Sequence, residues 1–171
     1  MIVRSTSQEN QRDCQGDLLL GLISDTHGRL SSAALDALAE VDMIVHAGDI
    51  GPQSILMRLE GLAPVIAVRG NNDFDLPLKL VATTTLAGFS VVIAHTPPHL
   101  YRALREAQAD ADALPLLGIH GHTHIPEFLA LDGATIVCPG SASYPRVPGG
   151  PTVMILRLGE GEVLEQKLIR L

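Results

Sequence analysis

Tryptophan is absent from this chain of 171 residues, and aromatic side chains make up only 3% of it. Any core must therefore come from Leu, Val, Ile and Ala. Cysteine is nearly as scarce. Cys14 and Cys138 are too few for a disulfide scaffold, and neither sits in a Cys-x-x-Cys or Cys/His zinc spacing, which points to reduced thiols. No apolar stretch reaches the ~18 residues of a membrane-spanning helix. Positive charge is in deficit: 12 Lys and Arg stand against 19 Asp and Glu, for a formal charge of −7. That field argues against an extended nucleic-acid backbone or an anionic membrane as partner. The amino end shows no secretory pattern, since Met1–Asp17 is polar and no small-residue cleavage site follows the Leu18 run. A cytoplasmic location is expected. Residues 1–17 read as a flexible extension and residues 18–171 as one domain, long enough for a substantial core. Charged residues are 18% and hydrophobic residues 46%, which excludes a disordered chain.

What the chain does have is an apolar run, Leu18–Ile23, that stops at Ser24-Asp25-Thr26-His27-Gly28. A continuous run of strand length bounded by glycine suits a strand buried on both faces, as in a parallel sheet covered by helices. Asp25 and His27 are two residues apart, so near-extended backbone would send both side chains to one side. Four further runs end alike. Met43–Val45 leads to His46-Ala47-Gly48-Asp49, and Val65–Val68 to Arg69-Gly70-Asn71-Asn72-Asp73. Val91–Ala94 leads to His95, and Leu116–Ile119 to His120-Gly121-His122-Thr123-His124. Singly, Asp25 could cap a helix, and Asp49 or Asn71-Asn72-Asp73 could be turn residues. Five strands that each end in Asp, His or Asn, at the edge where α/β sheets bind ligands, are better explained by one metal site.

Around these runs, Leu30–Val41 carries Leu30, Ala34, Leu38 and Val41 on one helical face, with Ser31 or Ser32 as cap. Gln53–Leu59 reads as a short helix with Pro52 in its first turn, and Pro64–Val68 as the third strand. That βαβαβ order implies parallel pairing with right-handed crossovers. Leu78–Leu86 and Phe89–Ala94 form a hairpin about Ala87-Gly88, followed by a helix over Pro98–Gln108 and a strand over Leu114–Ile119. Glu127–Leu131 and Ala134–Val137 pair about Asp132-Gly133, and Thr152–Leu158 and Glu162–Leu171 about Gly159-Glu160-Gly161. The expected class is α/β: two packed, mixed β-sheets flanked by helices.

Asp25-x-His27, Gly48-Asp49, Gly70-Asn71-x-Asp73, His95 and Gly121-His122-x-His124 together resemble the calcineurin-like metallophosphoesterase superfamily, in that order, over roughly Leu18 to Arg146. Small size and the Gly-Asn-Asn-Asp form are similar to its single-domain, YfcE-type phosphodiesterase branch, which shares its fold with Vps29. The resemblance implies a four-layer αββα sandwich with a two-metal site between the sheet ends. Carried onto the matching positions, Asp25, His27 and His124 would hold the first metal, and Asn71, His95 and His122 the second. Asp49 would bridge both. Such an oxygen and imidazole set favours Mn²⁺, placed first, or Fe²⁺, Zn²⁺ or Ni²⁺, over Ca²⁺ or Mg²⁺. The implied activity is hydrolysis of a small phosphodiester or nucleotide-type substrate by a hydroxide shared between the metals. Two divalent ions against two carboxylates and one hydroxide leave about one positive charge, which draws phosphate to the pocket. Vps29 supplies a different expectation, a protein-interaction module without useful catalysis; a phosphomonoesterase is a third. Edge strands and apolar composition are compatible with a homo-oligomer.

Departures from the family pattern carry expectations too. Many members have His where this chain has Asn72, and an amide donates a hydrogen bond but supplies no proton. General-acid help is worth ~10²–10⁴-fold, so turnover should be slow except with good leaving groups such as aryl esters. Thr96 replaces a usual Gly, and Cys138-Pro139-Gly140-Ser141 stands for Asn-Pro-Gly-Ser, with Cys138 expected as a small buried filler. Asp73 is expected to hold a ligand histidine or its loop. Arg69, Tyr144 and Arg146 are candidates for contacting the substrate. His46 and His120 should point away from the metals and serve structural hydrogen bonds, and His99 should be an exposed residue at a helix start.

Overall fold

The computed structural model describes residues 16–109 and 114–171. All but the last two residues of the expected 1–17 extension, including Cys14, lie outside the described residues. The element order is β1 (Leu18–Ile23), α1 (Ser32–Ala37), β2 (Met43–His46), α2 (Ser54–Glu60), β3 (Val65–Ala67), β4 (Val81–Leu86) and β5 (Phe89–Ala94). It continues with α3 (Pro97–Gln108), β6 (Leu116–Ile119), β7 (Pro126–Leu131), β8 (Ala134–Pro139), β9 (Thr152–Gly159) and β10 (Glu162–Arg170). Two five-stranded sheets result, ordered β10-β9-β1-β2-β3 and β4-β5-β6-β8-β7. Each has three parallel strands, β1-β2-β3 in one and β5-β6-β8 in the other. Antiparallel strands complete both sheets, β9 and β10 on one side of the first, β4 and β7 at the edges of the second.

Strand alternation sorts the apolar residues into layers. Leu20 and Leu22 of β1, Val45 of β2, Val91 and Ile93 of β5, Leu117 and Ile119 of β6, and Leu156 of β9 fill the space between the sheets. The other face of the first sheet packs Ile23, Ile44 and Val153 against Ala34, Leu38, Ile55 and Leu59 from the α1 and α2 side. The other face of the second packs Val92, Ala94 and Ile136 against Leu100 and Leu104 of α3. The layers are therefore helix, sheet, sheet, helix, and each fully buried aliphatic side chain contributes about 1.5–3 kcal/mol. One glycine on each central strand lets a helix come close. A Cβ on Gly21 of β1 would lie 2.7 Å from Leu38 Cδ2, and one on Gly118 of β6 2.9 Å from Leu104 Cδ1.

Several expectations need correction. β1 is covered on both faces as foreseen, but only one neighbour is parallel; β9 runs antiparallel to it. The helix expected over 30–41 closes at Ala37. Val41 N–H and Ala39 N–H bond three residues back, to Leu38 and Asp36, which tightens the chain into a turn before β2. Ser31 is its cap, accepting from Ala34 N at 3.1 Å. Pro52 stands before the cap of α2 rather than inside its first turn. β4 starts at Val81, not Leu78, because the Lys79 carbonyl accepts instead from Arg69 N, at the exit of β3.

Candidate metal centre

All five parallel strands singled out above end on the same edge of the sandwich, so their loops face one another across the seam between the sheets. Asp25 is fully buried, and its two oxygens have different surroundings. Oδ2 accepts from Ser24 Oγ at 2.5 Å and from His122 N at 3.0 Å. Oδ1 has no hydrogen-bond partner and lies 3.1 Å from His124 Nε2, 3.9 Å from His27 Nε2 and 4.0 Å from His95 Nε2. His95 Nε2 is likewise buried without a partner, 3.4 Å from Asp49 Oδ2. Backbone carbonyls fix how two of these rings are protonated: His95 Nδ1–H donates to Ala47 O at 2.7 Å, and His124 Nδ1–H to Tyr144 O at 2.5 Å. In the neutral ring that leaves each Nε2 lone pair aimed at the carboxylates, the arrangement a metal-binding imidazole requires.

Two overlapping groups of donors could each hold an ion: Asp25, His27 and His124, and Asp25, Asp49 and His95. Buried polar atoms are almost always paired, so two orphans facing each other at 4.0 Å mark a place where a cation belongs. The donors fit a divalent ion of the transition series. Asn71 and His122 stand beside the second group. His122 Nδ1–H donates to Asn71 Oδ1 at 3.1 Å, and its ring meets that of His95 edge-on at 5.1 Å. Asn72 contacts Asp49 twice, from its backbone N to Oδ1 at 3.0 Å and from Nδ2 to Oδ2 at 2.8 Å.

Charge follows geometry. Burial would raise the Asp49 carboxyl, but His95 and the two Asn72 donors together hold it well below the usual carboxylate range. Burial would lower His95, yet Asp49, the Ala47 carbonyl and Asp25 push it above its ordinary value. A proton therefore competes with a cation for this nitrogen. His122 is lowered, by burial and by the charge of His95.

The backbone that gathers these side chains is not extended. Asp25, His27, Asp49, His122 and His124 all have φ between 45° and 68°. Strand-like alternation therefore does not explain how Asp25 pairs with His27, or His122 with His124. Left-handed turns after each strand bring them together, conformations that cost non-glycine residues energy and cluster at functional sites. Close approach accounts for two glycines in the motifs. A Cβ on Gly70 would sit 2.1 Å from Asp49 Oδ1, and one on Gly121 1.9 Å from Ser24 Oγ.

A ring of hydrogen bonds holds the loops. The Asp73 carboxylate accepts from Ile50 N, Gly51 N and Gly70 N at 2.9–3.1 Å, so it fastens loop to loop and touches no histidine. His46 accepts from Gly48 N at Nδ1 and donates from Nε2 to Thr26 Oγ1, whose hydroxyl is spent on Ile50 O. Burial pushes His46 down to about 3, against the pull of Asp73 and Asp49. His120 donates from Nδ1 to Gly121 O and meets Glu127 at Nε2. Both rings are structural, as expected. His99 is exposed near the start of α3, within hydrogen-bond distance of Thr96. Ser141 and Ser143, which sequence reasoning did not single out as site residues, donate to the carbonyl of Asp25 at 2.9 Å. Cys138 is buried outside both donor groups, with its thiol pushed up to about 11 by burial, as befits a filler.

Of the three substrate candidates, Tyr144 abuts the centre with its ring in T-shaped contact with that of His27, centroids 5.5 Å apart, and Arg146 N donates to His124 O. The Arg69 side chain makes no ion pair with the donor groups among the described residues. Arg29, missed in the sequence, lies over the Tyr144 ring at 5.2 Å. A cavity of about 520 Å³ lined by Gly51, Pro52, Gln53, Asn72, Asp75 and Leu76 adjoins Asn72. A larger one, about 790 Å³, lies among hairpin tips at the opposite end of the strands, where Asp17, Glu160 and Glu162 would repel an anion.

Comparison with known proteins adds a family and a fold. The calcineurin-like phosphoesterase superfamily domain matches residues 18–161. A probable metallophosphoesterase of Methanothermobacter thermautotrophicus is 34% identical over 168 residues, covering 90% of this chain and 92% of its own. A solved archaeal phosphodiesterase superposes with a TM-score of 0.70 at 24% identity, covering 90% of this chain and 100% of that one. Vps29 of Entamoeba histolytica in complex with zinc gives 0.68 at 22% identity, covering 90% and 98%. These two likenesses concern the fold.

Proposed function

Because the chain belongs to the calcineurin-like phosphoesterase superfamily, we propose that it is a metal-dependent phosphodiesterase acting on a small phosphodiester or nucleotide-type substrate. The observation that carries the reading is the pair of orphaned buried atoms, Asp25 Oδ1 and His95 Nε2, at the meeting point of the two donor groups. Asp25, His27 and His124 would hold one divalent ion, Asn71, His95 and His122 a second, with Asp49 shared between them. Mn²⁺ is our first choice. Two such ions would supply Lewis acidity at the phosphoryl oxygens and a lowered pKa for water.

The chain's own residues prepare that chemistry. Ser24 and the His122 amide pin one oxygen of Asp25 so that the other faces the centre. Ala47 and Tyr144 carbonyls hold His95 and His124 with Nε2 inward. Asn72 keeps both oxygens of Asp49 in place, and the second N–H of its side chain can donate to a phosphoryl oxygen of the substrate. Asn72 has no proton to give a departing alkoxide, so aryl diesters should turn over far faster than alkyl diesters. Tyr144, beside His27, and Arg146, bonded through its backbone to His124, would contact the ester groups; Arg69 is the weaker candidate.

The test is hydrolysis of bis-p-nitrophenyl phosphate with Mn²⁺. The wild type should show a metal-dependent rate, reduced at least 100-fold by Asp49→Asn and by His122→Ala while the fold is retained, a loss on the scale of removing one catalytic group. The engagement of Asn72 with Asp49 favours one other reading, an interaction module on the Vps29 fold. A folded, manganese-loaded wild type with no rate above buffer would establish that reading instead. Comparing aryl monoester and diester rates decides between phosphomonoesterase and phosphodiesterase.

A further inference from the structure

Arg29 and Tyr144 form a unit that the metal-centre reading leaves unused. Tyr144 is tied twice to the first donor group, by its carbonyl to His124 and by a T-shaped contact with the His27 ring, centroids 5.5 Å apart. On the face of that ring lies the Arg29 guanidinium, 5.2 Å from the centroid. Arg29 is exposed and makes no salt bridge among the described residues, although acidic side chains outnumber basic ones in the chain. A guanidinium held over an aromatic ring uses its charge on the π face and keeps its N–H fork free for an anion, and the attraction biases it toward this place before any ligand arrives. A cation without an acidic partner among the described residues, biased toward one place two side chains from the donor groups, is set where it can meet an anion.

We propose that Arg29, braced on Tyr144, forms a second anion subsite on the His27 side of the centre, which takes a further phosphate of the substrate beside the phosphodiester being cleaved. The inference rests on the phosphodiesterase reading and narrows it to phosphodiesters that carry an additional phosphate, such as a 5′-phosphorylated dinucleotide. Arg grips phosphate bidentately, and one charge-assisted contact at a partly exposed site is worth about tenfold in affinity.

Two thymidine dinucleotides, with and without a 5′-phosphate, are compared on the full-length, Mn²⁺-loaded protein. The wild type should prefer the phosphorylated one about tenfold in kcat/KM, with the difference in KM, and the preference should shrink at high salt. Arg29→Gln should reduce the ratio to near one, and Arg29→Lys should keep part of it. A wild-type ratio of one, or an Arg29→Gln protein with the preference intact, overturns the subsite. Failure to hydrolyse bis-p-nitrophenyl phosphate would instead strike the enzyme reading. Dissociation constants of the phosphorothioate-linked dinucleotides, measured by calorimetry, then decide the subsite by the same ratio and the same variants.

Discussion

Asp73 holds together what the histidines exploit. Three backbone N–H groups from two loops converge on its carboxylate, and an amide at that position would present an N–H₂ to at least one of them. Asp73→Asn should lower stability by about 2 kcal/mol, read as a lower urea midpoint at unchanged slope, and weaken Mn²⁺ uptake. The sequence announced Asp73 as a supporting residue but not what it supports. Two of its partners, the N–H groups of Ile50 and Gly51, are main-chain groups more than twenty positions away, and nothing in a motif encodes them. The candidate ligands were legible for the opposite reason. Asp25, Asp49, His95 and His122 each stand within four residues of the end of an apolar run, and so are marked by where the hydrophobic pattern stops. The left-handed backbone at the five sharply turned candidates was hard to see because Asp and His, unlike Gly, do not advertise it; the neighbouring Gly28, Gly48 and Gly121 hinted at turns beside His27, Asp49 and His122, and nothing did at Asp25 and His124. Ser141 could have been found through the Pro-Gly-Ser run, had the hydroxyl been weighed as a donor. Arg29 carried no signal beyond its nearness to His27.

At the scale of elements, strands and hairpins were read well because continuous apolar runs and Ala-Gly, Asp-Gly and Glu-Gly tips are local. Helix limits were not, since α1 ends where the chain must drop into β2 and not where its apolar face ends. The mixed sheets could not be ordered from local pattern alone, because β9 returns to β1 across most of the chain. Close packing between elements was equally silent. Gly118 sits beneath α3, so Gly118→Val should drive Leu104 and Leu100 off the sheet at a cost of about 1–3 kcal/mol. Thermal unfolding would show it, and the same loss should appear in protein without metal, because the helix and not the centre is displaced.

For the whole molecule, His46 makes the fold acid-sensitive. Its two nitrogens are committed as one acceptor and one donor, and it resists protonation down to about 3, whereas the unfolded chain takes the proton near 6.5. Between those values the unfolded state binds more protons, so stability falls as pH drops through that window and is unaffected above it. The wild-type slope there should exceed that of His46→Gln by up to about 1.4 kcal/mol per pH unit, measured by urea unfolding of metal-free protein. A different cost comes from the five residues held at positive φ. Each adds about 1–2 kcal/mol of conformational debt that glycine would not incur, a sizeable share of the 5–15 kcal/mol that holds an ordinary domain together. His122→Gly should therefore melt a few degrees higher than the wild type when both are stripped by chelator, and should lose the rise that Mn²⁺ gives the wild type. Breeding this protein for heat resistance alone would wear its centre away toward glycine; only a demand for occupancy keeps those side chains in their awkward posture.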